Sequence, residues 1–168
     1  MAPGPPDRSD IRQRRGHPDQ RDARRRVEVS FYLDASFVIA LLTDDALHVR
    51  AARFASTDPG PLMVSDLAAA EFASALGRQV RTGAIAVEAA RAGLSVLDVW
   101  LRRAANRIET TGANIPVATT FLRRLDLPLK TPDAIHIAIA QRVGATLVTF
   151  DRQMAASARA LGTPVATP

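Results

Sequence analysis

The stretch VSFYLDASFVIALLT, residues 29–43, changes character at one acidic residue. Before Asp34, VSFYLD is apolar and aromatic without a clean polar alternation, as a buried strand should be. After it, ASFVIALLT reads as a helix. The same succession continues along the chain. A helix over about 46–57 runs to the Asp58-Pro59-Gly60-Pro61 break. PLMVS (61–65) is a short strand, and Ser65 and Asp66 start the long helix DLAAAEFASALGRQVRT, closed by Gly83. AIAVEAARAGLSVLDVWLRRAAN is the next helix, and RIET (107–110) a short strand. A helix starts near Pro116 and reaches about Leu125. ATLVTF (145–150) is a buried strand, DRQMAASARALG the last helix, and TPVAT a candidate edge strand. Apolar strands separated by helices imply an α/β fold, a parallel sheet with helices on both faces.

TPDAIHIAIA (131–140) starts the helix that runs to about Gly144. Thr131 is a good N-cap, and Pro132 suits the first helical position, where its missing N–H costs nothing. Asp133 then sits in the first turn, where a carboxylate is favoured by the helix dipole. AIHIAIA is apolar nearly all round, so this helix is buried, and His136 reads as a satisfied core histidine rather than a ligand.

With 168 residues the chain can build one domain with a real core. It has no cysteine, which excludes disulfides, thiol catalysis and Cys-ligated zinc and fits a reducing cytoplasm. No apolar run approaches a membrane span, and the N-terminus lacks the apolar segment of a signal peptide. The net charge of +5 is unevenly placed: residues 1–26 hold eight arginines against four aspartates, so the rest of the chain is close to neutral. The high pI is therefore weak evidence that the folded domain binds nucleic acid. The Arg- and Pro-rich segment 1–27 cannot bury enough surface to fold alone and is expected to be a disordered tail ahead of a domain over 28–168. Two further readings of it compete: an arm touching nucleic acid through counterion release, or a stretch upstream of a true start near Val27 or Val29.

In open parallel sheets, sites lie outside the carboxyl ends of the strands. Asp34 ends the first strand, and Asp151 follows Phe150 at the end of another. A lone buried carboxylate is costly unless paired, protonated or metal-bound, so acids inside apolar runs without a local cation are the candidates. Asp34 in FYLDASFV, Glu71 in LAAAEFASAL, Asp133 before AIHIAIA and Asp151 after LVTF meet that test, although Arg152 adjoins the last. Asp98 fails it, because Arg102 at i+4 offers a surface ion pair. Asp66 reads as helix capping. Four carboxylates at one edge repel each other, and a hard divalent cation resolves that conflict. Such an ion makes water nucleophilic near neutral pH and clamps phosphodiester oxygens for in-line attack, so no histidine base is required.

YLDASFVIALL, SDLAAAEFASAL, TPDAIHIAIA and LVTFDRQM resemble, in order and spacing, the four acidic motifs of PIN-domain nucleases, across about residues 29–166. The DAIHIA form and the overall size resemble the VapC-type toxins of type II toxin–antitoxin pairs. The resemblance implies a PIN-like fold in which Asp34, Glu71, Asp133 and Asp151 hold Mg²⁺ or Mn²⁺. Asp34 and Asp133 would be the surest ligands; Glu71 and Asp151 would complete the site directly or through water. Ser36 and Thr149 match small hydroxyl positions beside those acids and would orient carboxylates or waters. It also implies a metal-dependent endoribonuclease cutting structured RNA such as tRNA or rRNA, a cognate antitoxin whose C-terminal segment blocks the site, and a homodimer. The Arg-rich tail departs from the family, which usually begins just before the first strand.

Other chemistries fit less well. A haloacid-dehalogenase-type phosphatase would want an Asp where Ser36 stands. A phosphoreceiver domain would want paired acids near the first strand and a lysine after a late strand, whereas the only lysine, Lys130, precedes a helix. His17, His48 and His136 show no pairing suited to a histidine ribonuclease. A non-catalytic or housekeeping RNA-binding PIN protein is the alternative from another class, and metal-dependent cleavage discriminates. Arg50, Arg53, Arg78, Arg81, Arg102, Arg103, Arg123 and Arg124 are candidate RNA contacts, most of them read as solvated helix faces.

Overall fold

The computed structural model describes Met1, residues 29–57 and residues 59–168; the expected tail, and Asp58, lie outside the described residues. Five strands, β1 (Phe31–Leu33), β2 (Leu62–Ser65), β3 (Asn106–Ile108), β4 (Thr146–Val148) and β5 (Val165–Ala166), form one sheet in the order β3-β2-β1-β4-β5. Every pairing is parallel. Seven helices join them: α1 (Ala35–Leu42), α2 (His48–Ser56), α3 (Asp66–Arg81), α4 (Val87–Ala104), α5 (Asn114–Leu122), α6 (Thr131–Val143) and α7 (Arg152–Ala160).

The two-residue period of a strand sorts the core into two layers. Leu33, Val64 and Val148 face one side, where Phe37, Val38, Phe72, Leu76, Leu97 and Leu101 from α1, α3 and α4 cover them. Tyr32 and Leu147 face the other, against Ile137, Ile139, Met154 and Ala158 from α6 and α7. Ala118 of α5 then packs on Ala134 and Ala138 of α6. The expected parallel α/β sheet with helices on both faces is therefore present, and burial on both faces explains why VSFYLD shows no clean alternation.

Several boundaries shift for identifiable reasons. α5 starts two residues before Pro116, because the Asn114 Oδ1 accepts both the N–H and the hydroxyl of Thr111, at 3.0 and 3.1 Å. Thr131 is not the N-cap of α6. It is the first helical residue, Lys130 is the cap and Pro132 is second. The Asp133 carboxylate takes the Lys130 N–H at 3.2 Å, so the acid closes the helix start in place of the threonine hydroxyl. Gly144 ends α6 at φ 65°, a left-handed conformation that glycine adopts without strain. Asp98 is exposed and forms no ion pair with Arg102 among the described residues. Asp66 pairs with Arg107 at 3.1 Å, while Ser65 caps α3 by accepting the Ala68 N–H. Among the described residues no helix is long and apolar enough to cross a membrane.

Candidate active site

The neighbouring strands β1 and β4 set the site. Asp34 follows β1 and is the N-cap of α1, its Oδ1 accepting the Phe37 N–H at 2.9 Å. Asp151 is the N-cap of α7, where it accepts the Met154 N–H at 2.9 Å. With Asp133 in the first turn of α6, three of the four candidate acids sit at helix N-termini, where the helix dipole favours negative charge.

Hydroxyl groups tie the ends of β1 and β4 together. Ser36 Oγ lies 2.8 Å from each oxygen of Asp34 and accepts the Phe150 N–H at 3.0 Å. The Thr149 hydroxyl donates to Asp34 Oδ2 at 2.8 Å and accepts the Asp151 N–H at 2.9 Å. Asp34 is 3% exposed, and this burial raises its carboxyl above the ordinary aspartate value; nearby His136 and the three donors pull in the opposite direction. Asp133, half-buried, is also raised by burial. The Lys130 N–H opposes that shift and the charge of Asp151 adds to it, so Asp133 and Asp151 are within electrostatic reach of each other.

Glu71 lies on α3 with a different set of partners. Its Oε2 is 2.6 Å from His136 Nε2, and His136 Nδ1 is 2.6 Å from the Tyr32 hydroxyl, which in turn is 2.7 Å from Ser65 Oγ. Glu71 therefore has a partner 65 positions away, where its own helix offered none. The sequence reading of His136 as a satisfied buried histidine stands, but its satisfaction comes from a candidate site residue. Tyr32 and Ser65 were not singled out as a pair. The available signal was that a tyrosine hydroxyl on an apolar strand and a histidine on an apolar helix must both find partners.

No three His, Asp or Glu side chains among the described residues are clustered closely enough to enclose a metal ion. The donors still suit a hard cation. They are carboxylate oxygens, and the Asp34 and Asp133 carboxyls are pushed up by burial, a penalty that a cation would relieve. Mg²⁺ characteristically takes one or two carboxylates, keeps several waters and adds substrate phosphate oxygens, so a closed protein cage is not required.

Among the eight candidate arginines, all exposed, Arg50 is tied to this edge. Its guanidinium lies 5.4 Å from the centroid of the Phe150 ring, beside Asp151, and also hydrogen-bonds the Pro168 carbonyl.

The family model described as "PIN domain" matches residues 31–160. Ribonuclease VapC46 of Mycobacterium tuberculosis is 32% identical over 142 residues, covering 83% of this chain and 98% of the relative. The crystal structure of M. tuberculosis VapC20, described as a Sarcin-Ricin loop cleaving toxin, superposes with a TM-score of 0.63 at 23% identity, over 82% of this chain and 99% of that one. VapBC2 from Rickettsia felis, solved bound to a DNA fragment from its promoter, gives 0.61 at 14% identity, over 82% and 98%. These structural likenesses establish the fold.

Proposed function

The chain belongs to the PIN domain family, and on that premise we propose that it is a divalent-metal-dependent endoribonuclease, the toxin of a toxin–antitoxin pair. The observation that carries this reading is Asp34: a carboxylate almost fully buried at the end of the central strand, held by Ser36, Thr149 and the Phe37 N–H. Capping α1 alone does not require a charge, since a neutral asparagine or serine caps as well without the cost of burying a carboxylate, whereas a cation site needs one.

Asp34 and Asp133 would hold Mg²⁺ or Mn²⁺, with Asp151 and Glu71 completing the site directly or through water. A bound ion would supply an activated water and charge neutralisation at the phosphodiester. The chain's own work is orientation. Ser36 and Thr149 fix the direction of the Asp34 oxygens, and the start of α6 fixes Asp133. Arg50, beside Phe150, would attract the phosphate backbone.

The substrate would be a structured RNA such as tRNA or rRNA. The partners would be a second copy of the chain, as a homodimer, and an antitoxin whose C-terminal segment covers the acids. VapC46 and VapC20, named as a ribonuclease and a loop-cleaving toxin, support this reading. The competing reading, an RNA-binding PIN protein without catalysis, draws on the Glu71 carboxylate being engaged by His136. Incubating the purified chain with tRNA and rRNA fragments in Mg²⁺ or EDTA separates the two: the nuclease cuts only with metal, and the binding module retains RNA uncut.

A further inference from the structure

We propose that His136, locked by Tyr32, is a positioning residue that holds Glu71 in the orientation the metal site uses. The inference rests on the metal-dependent reading above.

The contacts form a closed loop. Ser65 Oγ caps α3 by accepting the Ala68 N–H at 3.1 Å, and it meets the Tyr32 hydroxyl at 2.7 Å. Tyr32 on β1 meets His136 on α6, and His136 meets Glu71 back on α3. The helix carrying Glu71 is thus tied at its cap and again at residue 71. The ties run to the strand that ends at Asp34 and to the helix that begins at Asp133. A histidine that only filled the core would need a partner, but not one on this loop.

A carboxylate accepts, so His136 donates its Nε2–H to Glu71 Oε2. The other ring nitrogen, Nδ1, is engaged by the Tyr32 hydroxyl, which Ser65 Oγ meets in turn. With both ring nitrogens held, the imidazole has one orientation. Glu71 Oε1 accepts no hydrogen bond from the described residues, and the side chain is 31% exposed, so one oxygen remains for a cation or its waters.

The test is Mn²⁺ titration of the full-length chain by electron paramagnetic resonance, with RNA cleavage followed at limiting and saturating Mn²⁺. His136→Leu is expected to weaken Mn²⁺ binding by roughly 10-fold or more and to lower cleavage at limiting metal. Saturating metal should restore most of that cleavage. Glu71→Gln should lose a similar factor, and Tyr32→Phe a smaller one. His136→Gln, which keeps an N–H donor, should recover most of the affinity, a rescue that a purely packing role would not produce. A folded His136→Leu with parental Mn²⁺ affinity overturns the proposal, as does His136→Gln behaving no better than His136→Leu. Should His136→Leu fail to fold, parental affinity in Tyr32→Phe overturns it instead. A parent chain that neither binds Mn²⁺ nor cuts RNA refutes the nuclease reading itself.

Discussion

The Thr149 hydroxyl donates to Asp34 Oδ2 at 2.8 Å across 115 positions of sequence, and its oxygen also accepts the Asp151 N–H at 2.9 Å. One fully buried oxygen thus orients the acid after β1 and the backbone of the acid after β4. Thr149→Val keeps the shape but removes both bonds. Leaving buried polar groups unpaired costs about 1–3 kcal/mol, so urea denaturation should show that loss. Cleavage should fall by roughly 10–100-fold, and Thr149→Ser should restore most of both. Unchanged stability and activity in Thr149→Val would remove this contact from the account.

Asp34→Asn is expected to separate stability from function. Asparagine caps a helix about as well as aspartate, while burial works against the charged form of Asp34. In EDTA the variant should be more stable than the parent, with a higher melting temperature. Its metal-dependent cleavage should be lost. A destabilised variant would show that the Asp34 charge is compensated within the apo fold.

Asp133→Asn should keep the Lys130 contact through its amide oxygen and remove the repulsion from Asp151. Its melting temperature in EDTA should therefore match or exceed the parent's. The difference should appear on adding Mn²⁺. A ligand at about 100 times its Kd stabilises by ~2.7 kcal/mol, and calorimetry should find that gain in the parent and little of it in the variant. An equal gain in both would take Asp133 out of the cation site.

The elements of this fold were legible because each carries a local cause. Apolar strands, capping residues such as Ser65, and the glycine that ends α6 act within a few positions of where they stand. The sheet order was not legible, since β1 lies between β2 and β4 for reasons of packing that no local pattern encodes. Asp34 and Asp151 could be placed at one edge because strand ends are predictable. The partner of Glu71 could not be found by searching its own helix, because His136 arrives from α6. The cap of α6 is Lys130, one residue before the expected Thr131, because the Asp133 carboxylate takes the Lys130 N–H.

Removing residues 1–26 is expected to leave cleavage largely intact, because the four acids and their hydroxyl partners all lie between 34 and 151. Comparing the full and shortened chains on one RNA at low and moderate salt checks this. A loss of cleavage in the shortened chain at moderate salt would show that the arginine-rich segment contributes to RNA binding.

The most direct test of the central claim is cleavage of a structured RNA by the purified chain, with Mg²⁺ or Mn²⁺ and with EDTA, beside Asp34→Asn and Asp133→Asn. The account predicts cutting by the parent with metal, none in EDTA, and loss of cutting in both folded variants. Cleavage that persists in EDTA, or full metal-dependent activity in either variant, would contradict it.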